Sequence, residues 1–274
     1  MRTQGLFSRS VLGLGFAFLY VPILSMVVYS FNDSRSVTVW NSVTSPTLKW
    51  YGRLFGDEQI LSAAWLSIRV AAMSATGAVV LGTLAGLVLS RFGPFKGRAL
   101  LQGLTTAPLV MPEVITGLSM LLLFVSLEQL FRAFFGWQFD RGVVTITIAH
   151  ITFTMAYVTV VVQSRLASFD DSLEEAALDL GARPARVFFR ITVPLILPAI
   201  LSGWLLAFTL SWDDLVITSF VTGPGSSTLP IVIFSKVRLG VSPDINALAT
   251  IIIAIVAVGV FLAAWQLRRS AHNG

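Results

Sequence analysis

The stretch VLGLGFAFLYVPILSMVVYSF, residues Val11–Phe31, contains no charged side chain. A helix of about 20 apolar residues crosses a hydrocarbon layer about 30 Å thick. Arg2 and Arg9 precede this run, as basic residues precede the apolar part of a signal peptide. The run is longer than the roughly 7–15 apolar residues of such a peptide, and no small-x-small cleavage site follows it. We therefore predict an uncleaved first transmembrane helix.

Five further apolar runs of similar length follow. They are Ala64–Leu89, Leu104–Leu127, Val143–Gln163, Leu195–Ile217 and Ala247–Leu267. Hydrophobic residues make up 55% of the chain and charged residues 12%, against about 25% charged residues in a soluble domain. Backbone groups in lipid must bond within their own segment, which favours helices. The sequence predicts an all-α membrane protein of about six transmembrane helices, with residues 1–274 forming one transmembrane domain.

Basic residues are distributed unevenly between the connections. One side collects eleven of them: Arg2, Arg9, Arg91, Lys96, Arg98, Arg165, Arg183, Arg186, Arg190, Arg268 and Arg269. The other side has seven: Arg35, Lys49, Arg53, Arg132, Arg141, Lys236 and Arg238. Because cytoplasmic loops are enriched in Lys and Arg, we expect both termini to face the cytoplasm.

Composition also excludes several functions. The chain has no cysteine, so disulfides and thiolate metal sites are ruled out, and we expect no bound metal. The net charge of +5 is spread between apolar runs and does not form one basic stripe, so nucleic acid is not expected as a partner. No phosphate-binding loop of the Gly-x4-Gly-Lys-Ser/Thr form occurs, so any ATP is hydrolysed by another protein.

The loop between the fourth and fifth runs predicts a short helix. Ser172 and Glu175 have the spacing of a capping box, and Glu174 and Glu175 lie at the positive end of the helix dipole. Gly181 is a suitable left-handed C-terminal stop, and Pro184 can open the next helix. Such a helix either docks a partner protein or rests on the bilayer or on its own chain.

One face of this helix is apolar. Leu173, Ala176, Ala177 and Leu180 fall at i, i+3, i+4 and i+7. Helices that lie on lipid favour Trp, Phe and basic residues, whereas this one carries Asp and Glu. Partner docking is therefore a reasonable alternative to a simple connector.

Three acids fall within or beside the apolar runs. Glu113 follows Pro108 and Pro112, which favour a kinked or broken helix, and Asp213 and Asp214 lie near the outer end of the fifth run. A carboxylate at mid-membrane costs about 2.5–3.5 kcal/mol on insertion scales, so these acids should face a cavity or a partner. They either line a path for a cation or pair with a base such as Lys236, Arg238 or Arg98.

The loop resembles the EAA loop of ABC importer permeases. Glu175-Ala176-Ala177, three residues, Gly181, nine residues, Ile191 and Pro194 match that family's pattern, with Val193 in place of its usual Leu. The resemblance implies a type I importer permease fold in a bacterial inner membrane. It also implies that Glu174, Glu175, Ala176, Ala177, Gly181, Ile191 and Pro194 couple this chain to an ATPase subunit.

The likeness extends along the chain to the spermidine/putrescine permeases. It rests on Phe18–Pro22, Phe31–Ser34, Ala107–Gly117 and Ser211–Ile217. It implies a polyamine importer in which this chain forms half of the pathway beside a second, related permease. Its other expected partners are two ATPase subunits that bind ATP and Mg²⁺, a periplasmic polyamine-binding protein and membrane lipid. The pathway residues would be Glu113, Asp213, Asp214, Trp212 and Phe208, the aromatic rings serving cation–π contact.

Other functions compete with this one. An importer of another small solute would share the coupling loop but has no need of intramembrane acids, and a channel or secondary transporter would not need the docking helix. A membrane enzyme is disfavoured because His150 and His272 are the only histidines, and adjacent Asp213 and Asp214 diverge on a helix.

Overall fold

The computed structural model describes residues 3–34, 39–138, 140–168, 170–240 and 243–272, and within them the only regular elements are helices. They are α1 Thr3–Tyr29, α2 Lys49–Phe55, α3 Glu58–Arg91, α4 Arg98–Val110, α5 Glu113–Phe135, α6 Val143–Ala167, α7 Ser172–Asp179, α8 Pro184–Val187, α9 Val193–Trp212, α10 Val216–Val221, α11 Leu229–Leu239 and α12 Pro243–His272. A π-helical turn, Phe188–Thr192, joins α8 to α9. The predicted all-α class is confirmed.

Six of the helical stretches in the described part of the chain are long and apolar enough to cross a membrane. They are Phe7–Tyr29, Glu58–Arg91, Glu113–Phe135, Val143–Ala167, Pro184–Trp212 and Pro243–Leu262. The number of spans is the one predicted from the sequence.

The third and fifth spans differ from the predicted boundaries. The third was expected over Leu104–Leu127 with a kink or break at its prolines, and it is broken: α4 begins at Arg98 and ends at Val110, and α5 runs from Glu113 to Phe135. Pro112 lacks the donor that would continue α4, and it stands at the N-cap position of α5. The fifth was expected to reach Ile217, but α9 ends at Trp212 and a separate short helix follows.

The chain divides into two compact units, residues 1–61 with 232–274, and residues 62–231. In the first unit α12 packs against α1 and α2. Asn32 organises the loop after α1: its side chain accepts from the Asn41 backbone N–H at 2.9 Å and its carbonyl accepts from the buried Trp50 indole at 2.6 Å. The Nζ of Lys236 lies 2.5 Å from Asp57, a contact that lowers the pKa of this carboxyl. That the whole chain forms one domain stays a prediction.

In the second unit α6 is the central helix, packed against α4, α5, α9 and α10. Its polar residues suit this position because the hydroxyls of Thr154 and Thr159 donate to carbonyls one turn back, at 2.7 Å each. The helix therefore enters an apolar core with these hydroxyl groups already bonded.

Glycines let α3 approach α6 closely. A Cβ at Gly82 would lie 2.8 Å from Val158 Cβ and 2.9 Å from the Met155 carbonyl, and one at Gly86 would lie 3.0 Å from Val162. Lipid offers no hydrophobic drive for helix association, so small residues that allow close van der Waals contact hold membrane helices together.

The two ends of this unit agree with the predicted alternation of loops. Arg91, at the end of α3, contacts Asp171 in the loop after α6, while at the other end Thr145 donates to the Val221 carbonyl at 2.7 Å. Which end faces the cytoplasm stays a prediction. Arg2 and Arg35, counted in that prediction, lie outside the described residues.

Single cysteines test the orientation. Ser168→Cys should resist a membrane-impermeant maleimide in intact cells, whereas Ser227→Cys should react, because both positions are exposed and lie on opposite sides in the predicted topology. Ser226 is unsuitable because it is buried and bonded to Gly223. If only Ser168→Cys were labelled, the orientation of the chain would be the reverse of the predicted one.

Candidate functional site

The loop helix forms, but its N-terminus differs from the prediction. The capping box of Ser172 and Glu175 is wrong: Ser172 is the first helical residue, and the N-cap residue is Asp171, which makes no side-chain cap. The Ser172 N–H instead donates to Asp170 Oδ1 at 3.0 Å, a bond that lowers the pKa of Asp170. Asp170 thus satisfies a backbone donor at the start of the helix, where the capping box was expected.

The C-terminus of α7 is as predicted. Gly181 adopts φ +81°, its N–H donates to the Leu178 carbonyl at 2.8 Å, and the Ala182 N–H donates to the Ala177 carbonyl at 3.0 Å. This pair of bonds is a Schellman motif, which favours glycine because a Cβ is strained in the left-handed region. Pro184 then opens α8, also as predicted.

The apolar face of α7 is left open within the chain. Nothing in the helix is buried, and Leu180 is 90% exposed. Glu175 and Ala176 are exposed, whereas Glu174 and Ala177 are half-buried. Further along the loop, Ile191 is half-buried in the π-helical turn and Pro194 is exposed in the first turn of α9. These placements do not support the alternative that α7 rests its apolar face on its own chain.

Glu113 lies at the break between α4 and α5. It is the first residue of α5 and is exposed. Its suggested partner Arg98 is engaged elsewhere, since the guanidinium donates to the carbonyls of Gly93 and of Leu89, the latter at 2.7 Å. The break predicted from the two prolines is present, because α4 ends at Val110 and α5 begins at Glu113.

Asp213 and Asp214 lie at a second break, between α9 and α10, and have different surroundings. Asp213 is exposed and ends α9. Asp214 is 8% exposed, and its Oδ2 accepts from the Thr218 N–H at 2.7 Å and the Thr218 hydroxyl at 2.6 Å. A carboxylate at the start of a helix satisfies free backbone donors and favours the helix dipole.

His150 of α6 completes this buried cluster. Its Nε2 lies 3.2 Å from Asp214 Oδ2 and 2.9 Å from Thr218 Oγ1, and its Nδ1 lies 2.6 Å from Ser211 Oγ. A ring that is protonated on Nε2 donates there and accepts the Ser211 hydroxyl at Nδ1. The sequence analysis missed this role, although an ionisable residue inside an apolar span is itself a signal.

The cluster contains Ser, His and Asp but is not arranged for hydrolysis. Ser211 is 6% exposed and His150 is 1% exposed, so the hydroxyl lies inside a helix interface. What the cluster does is join α6, α9 and α10 and fix the point at which α9 ends.

The predicted aromatic residues stack along α9. The rings of Trp204 and Phe208 lie 5.3 Å apart and those of Phe208 and Trp212 lie 6.1 Å apart, with interplanar angles of 19° and 15°. The Trp204 indole donates to Thr76 Oγ1 at 3.1 Å. Because Phe208 is flanked on both sides, Trp212 has the freer ring face for contact with a cation.

The two breaks are neighbours. Helix α5 packs against α10, and a Cβ on Gly117 would lie 3.2 Å from Ile217 Cα. Glu113 lies about one helical turn before Gly117 on α5, and Asp213 lies four residues before Ile217, in the non-helical link between α9 and α10. Each exposed acid thus lies at a break that leads into one of two contacting helices, while Asp214 is held in the core.

The fold is that of an ABC importer permease. A bacterial ABC transporter subunit involved in the import of alginate superposes with a TM-score of 0.73 over 97% of this chain and 96% of that one, at 18% identity. Residues 78–272 match the family described as binding-protein-dependent transport system inner membrane component. The chain belongs to this family and is a multi-pass inner-membrane protein.

Two relatives match nearly the whole chain. The putrescine transport system permease protein PotI of Escherichia coli K12 is 56% identical over 263 residues, 96% of this chain and 91% of the relative. The spermidine/putrescine transport system permease protein PotC of the same strain is 40% identical over 259 residues, 94% and 92% of the two chains. Both relatives are transport permeases rather than enzymes.

Removing the imidazole should destabilise the protein. His150→Ala removes the ring that bonds Asp214 and Ser211, and leaving a buried polar group without its hydrogen-bond partner costs about 1–3 kcal/mol. We expect the thermal midpoint of the variant in detergent to be several degrees below that of the unmodified protein. Size-exclusion chromatography after heating measures this midpoint. Thr152→Val, which removes an exposed hydroxyl from the same helix, is the matched control. Equal midpoints for the two variants would contradict a structural role of the cluster.

Proposed function

We propose that this chain is a permease subunit of an ATP-driven polyamine importer, with putrescine as the preferred cargo and spermidine as a second one. The observation that carries the proposal is the 56% identity to a putrescine permease over 96% of the chain, against 40% to a spermidine/putrescine permease.

The proposed assembly has four kinds of partner. This chain supplies half of the pathway and a second, related permease supplies the other half. Two ATPase subunits bind ATP and Mg²⁺, which this chain does not bind itself. A periplasmic polyamine-binding protein delivers the cargo, and the family's description as binding-protein-dependent supports that partner.

The exposed face of α7 supports docking to the ATPase. Leu173 is 51% exposed and Leu180 is 90% exposed. The exposed Ala176 lies between them and allows a partner surface to approach closely. Glu175 adds a charge beside this apolar face, where it can pair with a basic group of the partner. The Schellman turn at Gly181 fixes the angle at which the helix leaves the docking face.

The exposed acids suit a polyamine. Putrescine and spermidine carry ammonium groups separated by methylenes, and an apolar channel would strip water from each charge. Glu113 and Asp213 offer carboxylates at the breaks that lead into two contacting helices, and Trp212 offers an aromatic face beside Asp213, a contact worth about 0.5–2 kcal/mol. Phe208 then supports Trp212 by stacking. Binding must stay weak enough for release.

Asp214 has a different role in this proposal. Its carboxylate is bonded to Thr218 and lies against His150, so a passing cation would have to break a satisfied buried cluster. We therefore assign the pathway role to Glu113 and Asp213 and a structural role to Asp214.

Neutral variants test the acid-lined path. Asp213→Asn and Glu113→Gln keep the size of the side chain but remove its charge. At least one should lower putrescine uptake about tenfold at equal expression, which corresponds to about 1.4 kcal/mol along the path. Uptake of radiolabelled putrescine into cells that lack their own importer measures this.

Glu128→Gln is the matched control because Glu128 lies about four turns further along α5. It should transport like the unmodified protein. If both Asp213→Asn and Glu113→Gln took up putrescine at the wild-type rate, the acid-lined path would be rejected. An importer permease for another small solute would then be the favoured function.

A further inference from the structure

The carboxylate of Glu174 connects α7 to two membrane helices. Its Oε2 lies 3.1 Å from Nε of Arg91, the last residue of α3. Its Oε1 accepts the Thr192 hydroxyl at 2.5 Å, and Thr192 ends the π-helical turn that leads into α9. Arg91 also pairs with Asp171, the N-cap residue of α7. One carboxylate and one guanidinium therefore join three helices.

Burial separates these contacts from ordinary surface pairs. The side chains of Arg91 and Glu174 are each 16% exposed, whereas that of Asp171 is 57% exposed. A well-shielded ion pair is less screened by water and salt than an exposed one. The Arg91–Glu174 pair is thus the stronger of the two.

Adjacent glutamates on α7 serve opposite faces. Residues next to each other on a helix are about 100° apart, and Glu175 is exposed while Glu174 is half-buried against α3 and the π-helical turn. Glu175 lies on the side that is open to a partner. Glu174 lies on the side that faces the membrane helices of its own chain.

The two helices held by Glu174 lead to the rest of the unit. Helix α3 packs on α6 through Gly82 and Gly86, and α9 runs from the π-helical turn to Asp213. Without the Glu174 contacts, α7 keeps only its flanking loops, its packing on α8 and the π-helical turn, and the exposed pair of Asp171 with Arg91. A displacement of α7 would then be absorbed locally.

We propose that Glu174 is a positioning residue that transmits movement of α7 to α3 through Arg91 and to α9 through Thr192. The proposal rests on the proposed function, in which α7 docks on the ATPase. It separates the two glutamates: Glu175 serves assembly with the partner, and Glu174 couples ATP hydrolysis to movement of the membrane helices that flank the path.

Charge reversal tests the linkage in the full complex, reconstituted in liposomes with both permeases, the ATPase and loaded binding protein. Arg91→Glu and Glu174→Arg should each lower putrescine uptake per ATP hydrolysed about tenfold, or about 1.4 kcal/mol of coupling. The double reversal should restore part of this ratio, because the pair between residues 91 and 174 is re-formed with opposite sign, whereas the contacts with Asp171 and Thr192 stay lost. The ATPase should co-purify with every variant, since the open face of α7 is unchanged.

Lys96→Glu and the unmodified chain are the controls. Lys96→Glu reverses an exposed charge five residues from Arg91 and outside α7, and it should keep the normal ratio. Should a reversal prevent accumulation in the membrane, Glu174→Gln supplies the measurement, because it keeps an acceptor for Thr192 and loses the ion pair.

The outcomes separate this linkage from the proposed function. Single reversals that behave like the controls, or a double reversal that restores nothing, would overturn the linkage alone. Failure of the unmodified chain to retain the ATPase would overturn the docking function and the linkage with it.

Discussion

The close contact between α3 and α6 is the constraint on which residues 62–231 depend. Gly82 and Gly86 face Val158 and Val162 at distances that leave no room for a Cβ without displacement. In lipid such packing replaces the hydrophobic effect as the force that joins helices. The contact joins α3, which carries Arg91 at its end, to α6, which carries His150 among α9 and α10. Both polar clusters of the unit are built on these two helices.

In these clusters, adjacent acids that look alike in the sequence have different surroundings. Asp213 and Asp214 are neighbours, yet one is exposed and the other accepts hydrogen bonds from Thr218 in the core. Glu174 and Glu175 are divided in the same way between Arg91 and an open face. In each pair one residue is bonded within the chain and fixes the position of its exposed neighbour, to which the proposed function assigns cargo or a partner.

The sequence predicted features that depend on near neighbours. Apolar runs gave the number of spans, Gly181 and Pro184 gave the turn after α7, and Pro112 indicated a broken helix. It could not predict contacts between residues far apart in the chain, such as His150 with Ser211 or Arg91 with Glu174. The capping box was wrong because Ser172 is itself helical and its N–H donates to Asp170 Oδ1 instead of to the Glu175 carboxylate. Local patterns contain no information on which of two adjacent acids faces the core.

The most direct test of the account is ATP hydrolysis by the purified complex, titrated with the binding protein loaded with putrescine or spermidine. The account predicts that the loaded binding protein raises hydrolysis well above the rate with the empty one, and that putrescine accumulates in the same liposomes. The account would be contradicted if the rate of ATP hydrolysis were unchanged by either polyamine but rose with the binding protein of an unrelated solute.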